Sequence, residues 1–183
     1  AEPDVIRVPQ QYPTIQGAIN AAKSGDTVLV DVGTYPESVV VNKSITLKGT
    51  NRQSNITGAP LTTKVVEVKI SNVKITGFTI KPPKPTYKGI YVEPPVGYYY
   101  MNVNITDNTI IGAGDGIFYS RSMRSYVTNN TLQGNIYGIR LYNSKSITVA
   151  ENFVNGSLYF GINVYARSIY ITITKNTITK CQY

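Results

Sequence analysis

The sequence predicts an all-β fold: a right-handed parallel β-helix, a solenoid of rungs of about 22–23 residues with three short strands each, led by a short N-terminal capping α-helix. Three observations carry this prediction. Gly116, Gly138 and Gly161 open three similar segments spaced 22 and 23 residues apart, and a period of that size is the signature of stacked repeats. Within each segment apolar and polar residues alternate at period two, as in strands with one buried face. Charged residues make up only 15% of the chain against a usual ~25%, and Ile, Val, Thr, Asn and Tyr, which suit strands and turns, take their place.

With 183 residues the chain fits one domain. Residues 1–49 are expected to hold the cap helix and first rungs, and residues 50–183 the repeats. The N-terminal part opens with a strand in VIRV. Thr14 can then cap an amphipathic helix running to about Lys23, with Ile15, Ala18, Ile19 and Ala22 on one face. Ser24, Gly25 and Asp26 stop it, and the strands TVLVDV, SVVV and SITLKG follow. Laid over the open end of the solenoid, the helix would shield the first rung.

The repeats begin with Thr63–Ile80 and continue from Gly89, Gly116, Gly138 and Gly161. First strands point Ile117 and Tyr119, Ile139 and Leu141, then Ile162 and Val164 inward. Second strands contribute Val127, Ile147 and Val149, Ile171 and Ile173, and third strands Leu132, Val154 and Ile178. Each rung buries its apolar face only against its neighbours. Asn108, Asn130, Asn152 and Asn176 recur before successive third strands, a register that lets side-chain amides bond from rung to rung as a structural ladder. No cap follows the last copy, which runs into Lys180, Cys181, Gln182 and Tyr183, so either the native protein continues beyond this point or an exposed edge is left there, open to other copies of the chain or to surface proteins.

Composition narrows the chemistry. The chain has no histidine and one cysteine, Cys181, which removes a Ser-His-Asp triad, a Cys-His pair, a His-ligated metal and an internal disulfide. No catalytic residue, metal site or cofactor is predicted. The net charge of +8 is spread along the chain rather than gathered in a tail, which argues against nucleic-acid recognition. No apolar run reaches the ~18 residues of a membrane span. A start at Ala1 rather than Met suggests a mature exported chain whose signal peptide has been removed, acting outside the cell or at its surface. Five sequons, at Asn42, Asn55, Asn104, Asn129 and Asn155, are glycan acceptors in that setting.

Two side-chain sets compete for a functional role. Asp107 and Asp115 flank one rung. They are read either as a carboxylate pair at glycosidase spacing or as solvated turn residues. The second set is aromatic and basic. Loop insertions at 81–88 and 93–101 bracket the strand GIYV and are expected to protrude together as one surface of Lys81, Lys84, Tyr87, Lys88, Tyr98, Tyr99 and Tyr100, with Tyr91 outward nearby. Arg121, Arg124, Arg140, Tyr142, Lys145, Tyr165 and Arg167 would extend it. Such a face suits acidic sugars and protein partners alike.

The segment from Val8 to Gly49, VPQQYPTIQGAINAAKSGDTVLVDVGTYPESVVVNKSITLKG, resembles the opening module of the pectate lyase-like β-helix superfamily. It is similar both to pectin methylesterases and to the carbohydrate-binding and sugar-hydrolase group that includes periplasmic copper-processing proteins. Gly33–Glu37, GTYPE, matches the GxYxE signature of the esterases, but their catalytic aspartate motifs have no counterpart, and GDGIFYS at Gly114 echoes one only superficially. The resemblance therefore implies the fold and leaves two functions open: a secreted, non-enzymatic structural protein that packs with itself or with surface proteins, or a module that binds or processes acidic polysaccharide.

Overall fold

The computed structural model describes residues 2–183. The chain winds into a right-handed parallel β-solenoid whose strands stack into three sheets of nine, six and seven strands. Sheet I runs from Val5–Val8 through Thr27–Val30, Thr46–Gly49, Val73–Thr76, Val103–Thr106, Ser122–Thr128 and Lys145–Ala150 to Thr172–Thr174, with the short strand Tyr100–Met101 beside Ser122–Thr128. Sheet II stacks Val39–Val41, Lys64–Val68, Lys88–Val92, Asp115–Ser120, Tyr137–Tyr142 and Ile162–Tyr165. Sheet III stacks Gly33–Tyr35, Ser54–Ile56, Phe78–Ile80, Thr109–Ile111, Thr131–Gln133, Phe153–Asn155 and Thr177–Thr179.

Alternation along each strand fills the interior. Ile117, Tyr119, Val127 and Leu132 from one turn stack in register on Ile139, Leu141, Val149 and Val154 of the next, all wholly buried. Tyr119 satisfies its hydroxyl inside this core by donating to the Val103 carbonyl at 2.6 Å, and burial pushes its pKa well above the ordinary value. In the final turn Val164, Ile173 and Ile178 keep the same register yet are 37%, 49% and 45% exposed, because no described turn stacks on them.

The glycine column shows why the repeat opens as it does. Gly89, Gly116, Gly138 and Gly161 sit at the corner leading into sheet II. There a Cβ on Gly138 would lie 2.3 Å from the Gly161 carbonyl oxygen and 2.7 Å from Val154 Cγ1. Only a residue without a side chain lets adjacent turns approach this closely.

The asparagines stack through the third corner. Asn108, Asn130 and Asn152 are essentially inaccessible. The Asn130 side-chain oxygen accepts from the Asn108 backbone N–H at 3.0 Å and from Asn108 Nδ2 at 3.3 Å. Asn152 accepts the same pair from Asn130 at 2.9 and 3.0 Å, and Asn176 accepts both from Asn152 at 2.9 Å. A serine series does related work where sheet II meets sheet I: Ser144 Oγ accepts from Ser122 N–H, and Ser168 Oγ from Ser144 N–H.

The helix spans Ile15–Ala21, with Thr14 capping it through the Gly17 N–H and Ile15, Ala18 and Ile19 buried. Its remaining N-terminal donors find the Glu37 carboxylate: Ile15 N–H donates to Oε1 at 2.8 Å and Gln16 N–H to Oε2 at 3.0 Å. Glutamate in the GTYPE segment thus docks the helix. Gln16 completes the seal, its side chain accepting from the Val40 N–H and donating to the Val40 carbonyl, so the outermost strand of sheet II has no bare edge there.

Replacing Asn130 with Ala strands the Asn108 N–H and removes the side-chain donor to the Ile105 carbonyl, while the Asn152 oxygen keeps the backbone N–H of residue 130. At about 1–3 kcal/mol for each unsatisfied buried group, Asn130→Ala is expected to cost at least about 2 kcal/mol by urea denaturation. Glu37→Gln should cost much less, since its amide oxygen still accepts one helix donor.

Candidate functional site

The outer face of sheet II carries the densest polar and aromatic cluster. Its centre is Asp115, which opens the strand Asp115–Ser120 and whose side chain is 2% exposed. Lys88, one turn earlier, and Arg140, one turn later, close on it from either side. The Lys88 ammonium bonds Oδ2, and Arg140 Nη1 meets Oδ1 at 2.8 Å. The second Arg140 nitrogen, Nη2, donates to the Tyr165 hydroxyl at 2.7 Å. The guanidinium lies 4.3 Å from the Tyr137 ring centre, 5.1 Å from that of Tyr165 and 5.5 Å from that of Phe118, geometry that favours a cation. Burial works against the Arg140 charge, but Asp115 and the surrounding rings outweigh it and hold the pKa above its ordinary value. Burial also raises the Tyr165 hydroxyl, more than Arg140 lowers it.

Tyr91 stacks on Phe118 at 4.9 Å, lies under the Lys64 ammonium at 4.4 Å and donates to Glu93. Burial first, then Glu93, pushes its hydroxyl far above the ordinary range. Tyr142 packs against Tyr165 at 5.2 Å. Sheet II thus gathers Lys88, Tyr91, Arg140, Tyr142 and Tyr165 into one patch, and adds Lys64, Asp115, Phe118 and Tyr137. Sequence reading missed these four as partners because they are spread over three turns and come together only by stacking.

The two loop insertions do not protrude as one surface. They leave opposite ends of the strand Lys88–Val92, about 13 Å apart at 3.3 Å per residue. On one side Lys81 and Lys84 are exposed, and Tyr87 folds back to donate to the Pro60 carbonyl at 3.0 Å. On the other side Tyr98 and Tyr99 are exposed, and Tyr100 turns into a short strand paired with Ser122–Thr128. Arg121 belongs to this second group, donating to the Pro94 carbonyl at 2.6 Å and to Glu93 at 3.3 Å. Arg124, on the strand Ser122–Thr128, and Arg167, just after Ile162–Tyr165, are exposed outside both groups.

Asp107 and Asp115 do not form a carboxylate pair. Asp107 sits at the corner between sheets I and III, accepting from Asn129, whereas Asp115 is buried on sheet II between its two cations. Among the sequon asparagines, Asn42 and Asn129 are exposed. Asn55, Asn104 and Asn155 are half-buried and hydrogen-bonded to Gln53, Tyr126 and Thr179.

Donors for a soft or borderline metal are few. The chain has no histidine, its methionines Met101 and Met123 pair side by side on sheet I, and Cys181 follows the last strand of sheet III. Among the described residues no three His, Cys, Asp or Glu side chains converge. This donor set does not fit a copper centre, which draws on imidazole or on several sulfur ligands together.

Asp115→Ala leaves Arg140 and Lys88 half-buried without their carboxylate. A loss of about 3–5 kcal/mol is expected by chemical denaturation, whereas Lys84→Ala, at an exposed position, should leave stability within about 0.5 kcal/mol of the parent.

No helix among the described residues is long and apolar enough to cross a membrane. A cell surface glycoprotein of Methanothermus fervidus is 34% identical over 115 residues, covering 62% of this chain and 18% of that protein. The chain therefore aligns with under a fifth of that relative's length. The family model described as periplasmic copper-binding protein (NosD) matches residues 19–183, and the chain belongs to that family.

Proposed function

We propose that the chain is a non-catalytic β-helix segment of a protein held outside the cytoplasm at a cell surface, where it acts as a rigid unit packing with copies of itself or with neighbouring surface proteins. One observation carries the non-catalytic reading: the carboxylates that hydrolytic chemistry would need are engaged by the fold. Glu37 docks the helix, Asp26 accepts from the Asp4 and Lys23 N–H groups, Glu67 pairs with Lys64, and Asp115 lies between Lys88 and Arg140. Each of these four is held by its own fold partner, whereas glycoside hydrolysis requires a carboxylate pair free to act across a cleft. The printed name of the family refers to copper, but the donor set here does not fit that metal, and no step through copper is drawn.

The surface location takes its support from the Methanothermus relative, named a cell surface glycoprotein, and from the exposed Asn42 sequon, whose side chain makes no hydrogen bond to a described residue. Packing with partners takes its support from apolar and aromatic side chains exposed on the loops, Leu61, Val96, Tyr98 and Tyr99. A second reading, binding of acidic polysaccharide, is favoured by a cationic cleft on sheet I.

Intact cells producing the whole parent protein, treated with a membrane-impermeant amine label, test the location. The exposed lysines Lys48, Lys74 and Lys81 should be labelled without lysis, and labelling only after lysis overturns it. Light scattering over a wide concentration range tests the packing: association is expected, and a concentration-independent monomer counts against it.

A further inference from the structure

A cleft of about 730 Å³ lies on the outer face of sheet I, away from the Asp115 cluster. Its floor is the first four strands. Two outward columns cross it in register, Arg7, Leu29, Lys48 and Thr76 in one, and Val5, Thr27, Thr46 and Lys74 in the other. It spans three strand spacings, roughly 14 Å. Arg7, Lys48 and Lys74 are exposed, and none forms an ion pair with a described residue.

The nearby carboxylates are already engaged. Asp107 at the rim accepts from Asn129. Asp31, beyond Arg7, accepts from Gln10 and Thr50, which together with the Arg7 charge lower its pKa. The cleft therefore carries three cations against the one carboxylate of Asp107, with threonine hydroxyls between them. Gly49 and Gly77 border it without side chains, their backbones in close approach.

We infer that this cleft binds a linear anionic polysaccharide, its carboxylate or sulfate groups meeting Arg7, Lys48 and Lys74 and its hydroxyls meeting Thr27, Thr46 and Thr76. Cations spaced one to two strands apart, about 5–10 Å, suit a chain bearing charge at each sugar or every second one. Hydroxyl-rich surroundings without Trp or Tyr favour sugar over protein, whose hot spots are enriched in those aromatics beside Arg. No aromatic side chain lines the cleft, so single-stranded nucleic acid lacks the stacking platform on which its binding depends. The inference rests on the extracytoplasmic reading only for where such a polymer is met.

Calorimetric titration of the full chain with polygalacturonate, dextran sulfate and neutral dextran provides the test, and it is independent of where the protein resides. Binding to one or both anionic polymers but not to neutral dextran is expected, weakening steeply with added salt. The two anionic arms separate carboxylate from sulfate recognition. Lys48→Gln/Lys74→Gln, which keeps the side-chain stems, should weaken binding at least about tenfold with an unchanged melting temperature. Lys81→Ala/Arg167→Ala, which removes the same charge elsewhere, should change it less than about twofold. Equal loss in both variants, no binding to either anionic polymer at low salt, or equally tight binding of a DNA oligonucleotide would each overturn the inference.

Discussion

The buried asparagine at the corner between sheets I and III is the constraint on which the rest of the solenoid depends. At that corner the chain leaves one sheet for another and backbone pairing between turns lapses, leaving an N–H group in the interior with no strand partner. A side-chain carbonyl from the next turn takes its place, as Asn152 does for Asn130. The same side chain's Nδ2 donates to the Val127 and Ala150 carbonyls, so nearly all its hydrogen-bonding capacity is used. A half-satisfied amide in this low-dielectric interior would cost more than the ladder contributes. The register between turns is thereby fixed at this corner, and differences in rung length are absorbed in the turns, as in the 24 residues from Asn152 to Asn176 against 22 from Asn130 to Asn152.

The periodic features of the fold were the ones legible in sequence. Glycines at constant spacing, inward aliphatics at period two and asparagines before each third strand all repeat because each turn meets the same neighbours in the same geometry. The helix was readable from Thr14 and its apolar face. Its docking to Glu37 was not, because the GTYPE segment reads as a turn until the fold brings it beneath the helix.

The candidate sites were far less legible, for a physical reason. Outward positions are not repeated, so their partners are chosen by the register between turns. Asp115 looks like a turn residue in GAGDG, and only stacking places Lys88 and Arg140 on its two sides, 27 and 25 residues away. The two proline-stiffened loops are close in sequence yet leave opposite ends of one strand. Arg7 and Lys48 fall before the repeats and Lys74 in the first of them, and they meet only because the first four strands of sheet I are neighbours. Function in such a protein resides on the faces of a rigid rod. The side chains that hold the rod together, the carboxylates of Glu37, Asp26 and Asp115 among them, are thereby withdrawn from chemistry.

Residue-resolved hydrogen exchange of the native chain tests the central claim most directly, because it reads the amides that side chains rather than strands protect. The N–H groups of Asn108, Asn130 and Asn152 are expected among the slowest to exchange, close to the limit set by global unfolding, with those of Thr172–Thr174 far faster. Ladder amides that exchange as quickly as those of Thr172–Thr174 would contradict the account, since the corners would then be held by something other than the stacked asparagines.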